Sequence, residues 1–408
     1  MSNRYNPFKP NYPIYSGLFA GRFKEMERID DALFQTAHNN PTNLLFVGER
    51  GIGKTSLLLL TKYFANGTIV LDKKKHNFLT IQLNINSNTT IADFIIKFKK
   101  QLQRELHKMN STQKVIDKAW GFVKRLEISG FKINDTPETS TEQLIDDFTY
   151  SFSETIEELT NGEEVSKDGI VVIIDEADTA CKELGLGAFL KSLTETLVSE
   201  NTNRALFVLA GLPTVTDILR ESHQSSLRLF EEHLLKPLKK KDVKFVIDRA
   251  IEEVNEKEQM EIKIVDGAIE KFHEVSEGYP HFLQQIGFCV IVNLKSNQIT
   301  PGIVEDSMYQ QGGALDLIGK RYYMDLYYNK IKVDSYRQIL SIMAKEWDQW
   351  ISKTEIRKDF KGSGTELNNG IKALRDRNII LTKRGVRGVY RLQWLSFAFW
   401  IRIHKLRG

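Results

Sequence analysis

Residues 48–55 have the types and the spacing that bind a phosphate group: they read Gly-Glu-Arg-Gly-Ile-Gly-Lys-Thr. This is a complete G-x-x-x-x-G-K-T phosphate loop, in which glycines turn the backbone amides toward the phosphate. The Lys54 amine would then reach the outer phosphates, and the Thr55 hydroxyl would bind Mg²⁺. A chance glycine-rich turn is the alternative. The apolar strand predicted at 44–47 and the helix predicted from Ser56 favour the phosphate loop.

Two adjacent carboxylates, Asp175 and Glu176, form a second candidate group. They follow residues 170–174, five aliphatic residues that predict a fully buried strand of a parallel sheet. Ligands of open α/β sheets bind outside the carboxyl ends of the strands. We therefore expect Asp175 to hold Mg²⁺ and Glu176 to polarise an attacking water. Alone, the pair could equally begin a solvated loop; with a phosphate loop in the same chain, the catalytic interpretation is favoured.

The elements that must position these residues alternate between strands and helices. Further strands are predicted at 78–84 and 205–211, and helices at 90–109 and 142–159. This alternation predicts an α/β fold, with a parallel sheet covered by helices on both faces. The stretch from about 110 to 141 is an insertion that either a hairpin or a helix–strand pair would fit.

The remainder of the chain predicts two further domains after an α/β domain at 1–236. Residues 1–18 are expected to form an arm. Short helices are predicted at 217–222 and 227–233, and a region of helices only, a lid, at 237–332, with helices near 243–256, 265–275 and 281–294. From 333 to 408, three helices are followed by two strands that flank a basic turn at 383–388. This order is typical of a winged helix-turn-helix, in which Ser352 would cap the second helix.

The C-terminal domain is strongly basic. Residues 333–408 hold 16 Lys and Arg against 7 Asp and Glu, a net charge of +9, although the whole chain carries +4. The preceding 332 residues therefore carry −5. Such a charge distribution favours contact with nucleic acid, although a solvated surface is the alternative. The candidate contacts to double-stranded DNA are Lys372 and Arg375 on the third helix, and Lys383, Arg384 and Arg387 in the wing.

Composition excludes several other classes of protein. The 408 residues are 41% hydrophobic and 27% charged, and no apolar run approaches the roughly 20 residues of a membrane helix. The first residues lack the apolar core of a signal peptide. Cys181 and Cys289 match neither a disulfide framework nor a metal-binding spacing. A cytoplasmic location with no membrane partner is expected.

Together, these stretches resemble the AAA+ ATPases of the origin-recognition and initiator type, including prokaryotic members related to the STAND signalling ATPases. The resemblance covers about residues 15–300, and the winged helix agrees with that group's architecture. It implies that residues 48–56 bind ATP with Mg²⁺, that Gly21 and Arg22 lie against the adenine, and that Pro280 touches the base. It also implies that Arg228 reaches the nucleotide of a neighbouring subunit, so that ATP would drive homo-oligomer formation.

Three functions are compatible with these features. The first is a slow ATPase switch that couples nucleotide state to nucleic-acid binding or assembly. In the second, a STAND-like signalling ATPase uses the winged helix for protein interaction and autoinhibition, and a partner protein supplies the output. The third keeps the nucleotide as a structural element of a defence or mobile-element complex. The basic C-terminal domain favours the first function.

Overall fold

The structure of the protein is a computed structural model, and it divides the chain into two compact units. The sheet unit comprises residues 22–48 and 54–236, and the helical unit comprises residues 1–21, 49–53 and 237–408. The division into three domains stays a prediction. The insertion was predicted at about 110–141. Residues 110–140 of it fall outside the described residues, and a helix begins at Thr141. The structure describes residues 4–13, 17–71, 75–108, 141–161, 166–346, 349–377, 379–383 and 385–406.

The sheet unit is built on five parallel strands in the order β2-β3-β4-β1-β5. Three of them are almost wholly aliphatic and buried along their length, as expected for the centre of a parallel sheet. This confirms the predicted parallel sheet. The strands are β1 (Asn43–Val47), β2 (Leu79–Asn84), β3 (Ile170–Asp175), β4 (Ala205–Gly211) and β5 (Phe230–Leu234).

Helices of the sheet unit bury their apolar stripes against this sheet. One face of the core contains a cluster of phenylalanines, in which the Phe98 ring meets Phe148 and Phe152 edge-on at 5.2 and 5.1 Å. All three rings are at most 1% exposed. The helices are α1 (Phe23–Ala37), α2 (Lys54–Ala65), α3 (Ile91–Lys108), α4 (Thr141–Asn161), α5 (Leu186–Ser199) and α6 (Val215–Ser222).

The structure corrects the prediction of a helix at 227–233. A short 3₁₀ turn at Ser226–Leu229 is followed by the strand β5, which pairs with β1. The sequence of β5, Phe-Glu-Glu-His-Leu, lacks a buried apolar run because the strand lies at the edge of the sheet and is half exposed. A local pattern does not reveal such an edge strand, since its pairing with β1 decides its conformation.

The first part of the helical unit contains the helices predicted for the lid. It also contains a two-stranded ribbon, so the prediction of helices only is wrong there; the strands of two residues each are too short to have a sequence pattern. Phe8 of the N-terminal arm is buried, and its ring packs against Gly287. A Cβ added at Gly287 would lie only 2.4 Å from that ring. The elements are α7 (Lys240–Glu258), β6 (Lys263–Ile264), α8 (Ala268–Ser276), α9 (Pro280–Asn293), β7 (Gln298–Ile299), α10 (Pro301–Tyr309), α11 (Ala314–Ile318) and two π-helical segments (Gly319–Tyr323 and Asp325–Lys330).

In the C-terminal module, residues 333–406, three helices precede two strands that flank the basic turn, as predicted, but a two-residue strand after the first helix and a final helix were not predicted. Ser352 and Ser363 cap the second and third helices, each accepting a hydrogen bond from the backbone N–H of a glutamate three residues later. The three strands form an antiparallel sheet in the order β8-β10-β9. The elements are α12 (Asp334–Lys345), β8 (Ile351–Ser352), α13 (Lys353–Asp359), α14 (Gly364–Asp376), β9 (Ile380–Thr382), β10 (Val389–Leu392) and α15 (Leu395–Leu406). Over the described residues, none of the helices combines the length and apolarity needed to cross a membrane.

Candidate nucleotide-binding site

The phosphate loop begins where β1, an interior strand of the sheet, ends. The Gly48 N–H donates a hydrogen bond of 3.1 Å to the carbonyl of Gly211, the last residue of β4. After the loop, α2 begins at Lys54, and the Lys54 amine donates to the Gly48 carbonyl at 2.7 Å. The lysine amine is thus hydrogen-bonded to the residue that opens the loop.

The middle of the loop adopts a conformation that glycine permits. Gly51 has φ +80° and Gly53 has φ +101°, both in the region that side chains disfavour. At Gly53, an added Cβ would meet no heavy atom within 4 Å, so backbone conformation and not crowding requires glycine there. Between them, Ile52 is 1% exposed and donates its N–H to the Glu49 carbonyl at 3.3 Å.

Thr55 and Asp175 are brought together as the sequence predicted for a Mg²⁺ site. The Thr55 hydroxyl donates a hydrogen bond of 2.8 Å to the Asp175 carboxylate at the carboxyl end of β3. A hydroxyl and a carboxylate are hard oxygen donors of the kind that Mg²⁺ binds beside substrate phosphates and water. The donor set therefore fits Mg²⁺. Within the described residues there is no cluster of three or more His, Cys, Asp or Glu that would form a separate metal cage.

Glu176 has a backbone conformation that is unusual for its residue type. Its φ and ψ are 55° and 36°, in the left-handed region, and its N–H donates to the Asp175 carboxylate at 2.8 Å. A non-glycine residue in this region costs on the order of 1 kcal/mol, and such strain is concentrated at functional sites. The turn leaves the Glu176 side chain exposed, and its action on a water stays a prediction.

The residues expected near the adenine occupy two structural settings. In the sheet unit, Arg22 is buried and its guanidinium donates to the Lys236 carbonyl at 2.7 Å. In the helical unit, Gly21 has φ +70°, and a Cβ there would lie 2.7 Å from the Leu238 side chain. Pro280 occupies the first turn of α9. These positions leave the roles of Gly21, Arg22 and Pro280 as predictions.

His281, which follows Pro280, contacts the phosphate loop within the helical unit. Its backbone N–H donates to the Gly51 carbonyl at 3.2 Å, and a Cβ at Gly51 would lie 3.1 Å from the His281 Cβ. Burial of the ring, with the positive charges of Arg321 and Arg50, lowers the pKa of His281 to about 4. The imidazole is therefore neutral at pH 7. It lines a cavity of about 240 Å³ together with the residues Arg50, Gly51, Phe282, Tyr322 and Tyr323.

No sequence pattern indicated an ion pair between the phosphate loop and the C-terminal module. Within the helical unit, the guanidinium of Arg391 in β10 lies 3.4 Å from the carboxylate of Glu49. The side chains are 18% and 11% exposed, respectively, and the Arg391 guanidinium also lies 5.3 Å from the centre of the Trp350 ring. Glu49 and Arg391 are 342 residues apart, so no local pattern connects them.

The other predicted cations that the structure describes lie at the surface. Arg228 lies exposed in the 3₁₀ turn before β5, and its guanidinium has no hydrogen-bond or ion-pair partner in the described part of the chain. In the C-terminal module, Lys372, Lys383 and Arg387 are exposed, and Arg375 pairs with its neighbour Asp376 at the surface. Arg384 falls outside the described residues. Ser56 lies in the first turn of α2.

The phosphate loop and the acidic pair follow strands of one parallel sheet. The phosphate loop follows β1, the acidic pair follows β3, and β4 lies between the two strands. This is the arrangement expected for an AAA+ ATPase. The chain matches the family model of the AAA domain over residues 37–219. The matched residues make up just under half of the chain and contain the strands β1 to β4 together with the phosphate loop and the acidic pair.

Known proteins similar to this chain have the same fold along most of its length. The Walker-type ATPase of Pyrococcus abyssi is 18% identical with a TM-score of 0.53, and the match covers 94% of this chain and 96% of that one. The ADP form of the ORC2 protein of Aeropyrum pernix is 12% identical with a TM-score of 0.54, and the match covers 98% of each chain. An uncharacterized HTH-type transcriptional regulator of Methanocaldococcus jannaschii is 24% identical over 328 residues, which are 76% of this chain and 73% of that protein.

Proposed function

We propose that this chain is an ATP-hydrolysing switch whose nucleotide state controls nucleic-acid binding or assembly. The observation that carries the proposal is the pair of hydrogen bonds that join Lys54 to Gly48 and Thr55 to Asp175. The strained backbone of Glu176 adds a catalytic carboxylate next to that pair. The AAA domain match and the ATPase named among the similar structures support the same chemistry.

Each residue has a defined role in the proposed reaction. Backbone amides of the loop and the Lys54 amine hold the phosphates, while Thr55 and Asp175 hold Mg²⁺. When bound, Mg²⁺ neutralises charge on the β- and γ-phosphates. Glu176 orients and polarises the attacking water. Gly21, Arg22 and Pro280 would contact the adenine, as the family resemblance implies.

Calorimetry of ATP binding in the presence of Mg²⁺ tests the first step of this proposal. Lys54→Ala removes the amine that neutralises the phosphates, so we expect tight binding to be lost. Lys62→Ala removes one positive charge from the last turn of the same helix, α2, far from the loop. This variant should bind ATP as the wild type does. Equal affinity of wild type and Lys54→Ala would refute the proposed nucleotide site.

We propose that the C-terminal module is the output domain, a winged helix-turn-helix that binds double-stranded DNA. Its support is the order of its helices and strands together with the exposed cations Lys372, Lys383 and Arg387. The similar protein of Methanocaldococcus jannaschii, whose printed name describes an HTH-type transcriptional regulator, is in keeping with this function. In this fold the third helix enters the major groove and the wing follows the backbone.

A STAND-like signalling ATPase is the second candidate. Two observations favour it: the Gly278-Tyr279-Pro280 sequence before α9, and the ion pair that joins the C-terminal module to the phosphate loop. In that case the module would bind protein, and an effector partner would supply the output. The full-length chain would then show no salt-sensitive binding to a DNA duplex at any nucleotide state.

A further inference from the structure

We propose that Arg391 acts as a nucleotide sensor that the C-terminal module contributes to the phosphate loop. The inference rests on the proposed ATP binding and specifies how the same site is regulated. Its basis is the ion pair of 3.4 Å between Arg391 and Glu49, the second residue of the loop. The Nε atom of Arg391 is buried and makes no hydrogen bond to the described residues, so the guanidinium is held mainly by this carboxylate and the Trp350 ring.

The sign of the coupling follows from the charges. Glu49 places a carboxylate in the loop that would receive a triphosphate, and its side chain is only 11% exposed. Like charges in a poorly solvated position repel strongly, because little water screens them. Arg391 neutralises this carboxylate, so its presence favours ATP binding. By thermodynamic linkage, bound ATP must in turn favour the contact between Arg391 and Glu49 to the same extent.

The position of Arg391 connects this contact to the wing. Arg391 lies in the central strand of the β8-β10-β9 sheet, opposite Leu381 of β9. The turn at 383–388 joins β9 to β10 and carries the exposed cations Lys383 and Arg387. Bound nucleotide that strengthens the contact between Arg391 and Glu49 would therefore restrict the motion of β10 and of the adjoining wing. Conversely, a ligand of the wing would change the affinity for ATP.

A double-mutant cycle measured by calorimetry with ATP and Mg²⁺ tests the sensor. We expect Arg391→Ala to weaken ATP binding about tenfold, within the range of typical coupling energies, because the Glu49 carboxylate then lacks the positive charge of Arg391 beside it. Glu49→Gln should bind at least as tightly as the wild type. Adding Glu49→Gln to Arg391→Ala should restore most of the lost affinity, since the repelling charge is then absent.

Matched variants separate this mechanism from a general loss of structure. Lys345→Ala removes one positive charge from the same module, where Lys345 pairs with Asp359 at the surface, and should leave ATP affinity unchanged. If Arg391→Ala binds ATP as the wild type does, the sensor is refuted while the proposed nucleotide site stands. If the double variant is as weak as Arg391→Ala, Arg391 acts through packing and the inference is equally wrong. Failure of the wild type itself to bind ATP would instead refute the proposed function.

Discussion

Glu176 and His281 show how the surroundings of a residue in the folded chain determine its backbone conformation or its pKa. Glu176 takes a left-handed conformation directly after the aspartate of β3. His281 is buried beside two arginines at the start of α9, and its pKa is lowered to about 4. The first residue was predicted from its position after an aliphatic strand. The environment of the second depends on Arg50 and Arg321, which only the folded chain brings near it.

Replacing Glu176 should separate ATP binding from hydrolysis. Glu176→Gln keeps the size of the side chain but removes the charge that polarises water, so we expect turnover to fall by about 10²-fold or more with ATP affinity unchanged. Glu200→Gln, at the exposed end of α5, is the matched control and should hydrolyse ATP normally. Phosphate release and calorimetry measure the two quantities. Unchanged turnover in Glu176→Gln would remove this residue from the mechanism.

His281 should make folding stability depend on pH. The folded state lowers its pKa from about 6.5 to about 4, so the unfolded chain binds more protons between these values. Stability from this group is therefore present above about pH 6.5 and is lost as the pH falls toward 4. We expect His281→Gln to reduce the pH dependence of the free energy of unfolding by about 1–3 kcal/mol over this interval. Denaturant unfolding at several pH values, with His273→Gln as the control in the same unit, tests whether the slope belongs to His281.

At the scale of elements, burial determined what the sequence could reveal. The aliphatic strands β1, β3 and β4 and the helices α3, α4 and α6 were predicted closely, because a fully buried strand and an amphipathic helix each have a local pattern. The edge strand β5 was misread, and the two-residue strands β6 and β7 were missed, because their partners decide their conformation. The phosphate loop and the acidic pair were likewise predicted from local sequence patterns. The pairing of Glu49 with Arg391 could not be predicted in this way, because the two residues are far apart in the sequence.

The wing turn should dominate any electrostatic attraction to DNA. Each phosphate contact contributes about −0.9 to the slope of log affinity against log salt. The double variant Lys383→Ala with Arg387→Ala should therefore flatten this slope by up to about 1.8 and weaken binding to all sequences alike. Fluorescence anisotropy of a labelled duplex with the full-length chain measures it. Lys244→Ala with Arg249→Ala, on α7, removes the same charge from the lid region; equal slopes for the two double variants would contradict a wing contact.

At the scale of the whole molecule, the exposed arginine before β5 bears on assembly. Arg228 has the position that the family resemblance assigns to a residue reaching a neighbouring subunit. If it acts there, turnover per chain should rise with protein concentration, and Arg228→Ala should lower it by about 10³-fold without weakening ATP binding. Arg220→Ala, on α6, removes a nearby arginine that pairs with Asp217 and should have little effect. Turnover per chain that is independent of concentration would exclude a role between subunits.

The strand order also determines when the phosphate loop can take shape during synthesis. β1 is complete once residue 47 has been added, yet both of its neighbours in the sheet, β4 and β5, lie beyond residue 204. At about 5–20 residues per second, a ribosome needs roughly 10–30 s to reach the end of β4. Throughout that interval the newly made strand has no partner, and its aliphatic residues are exposed to other nascent chains. The interior position of β1, which fixes the start of the loop in the finished protein, thus makes the pairing of this strand a late event in synthesis.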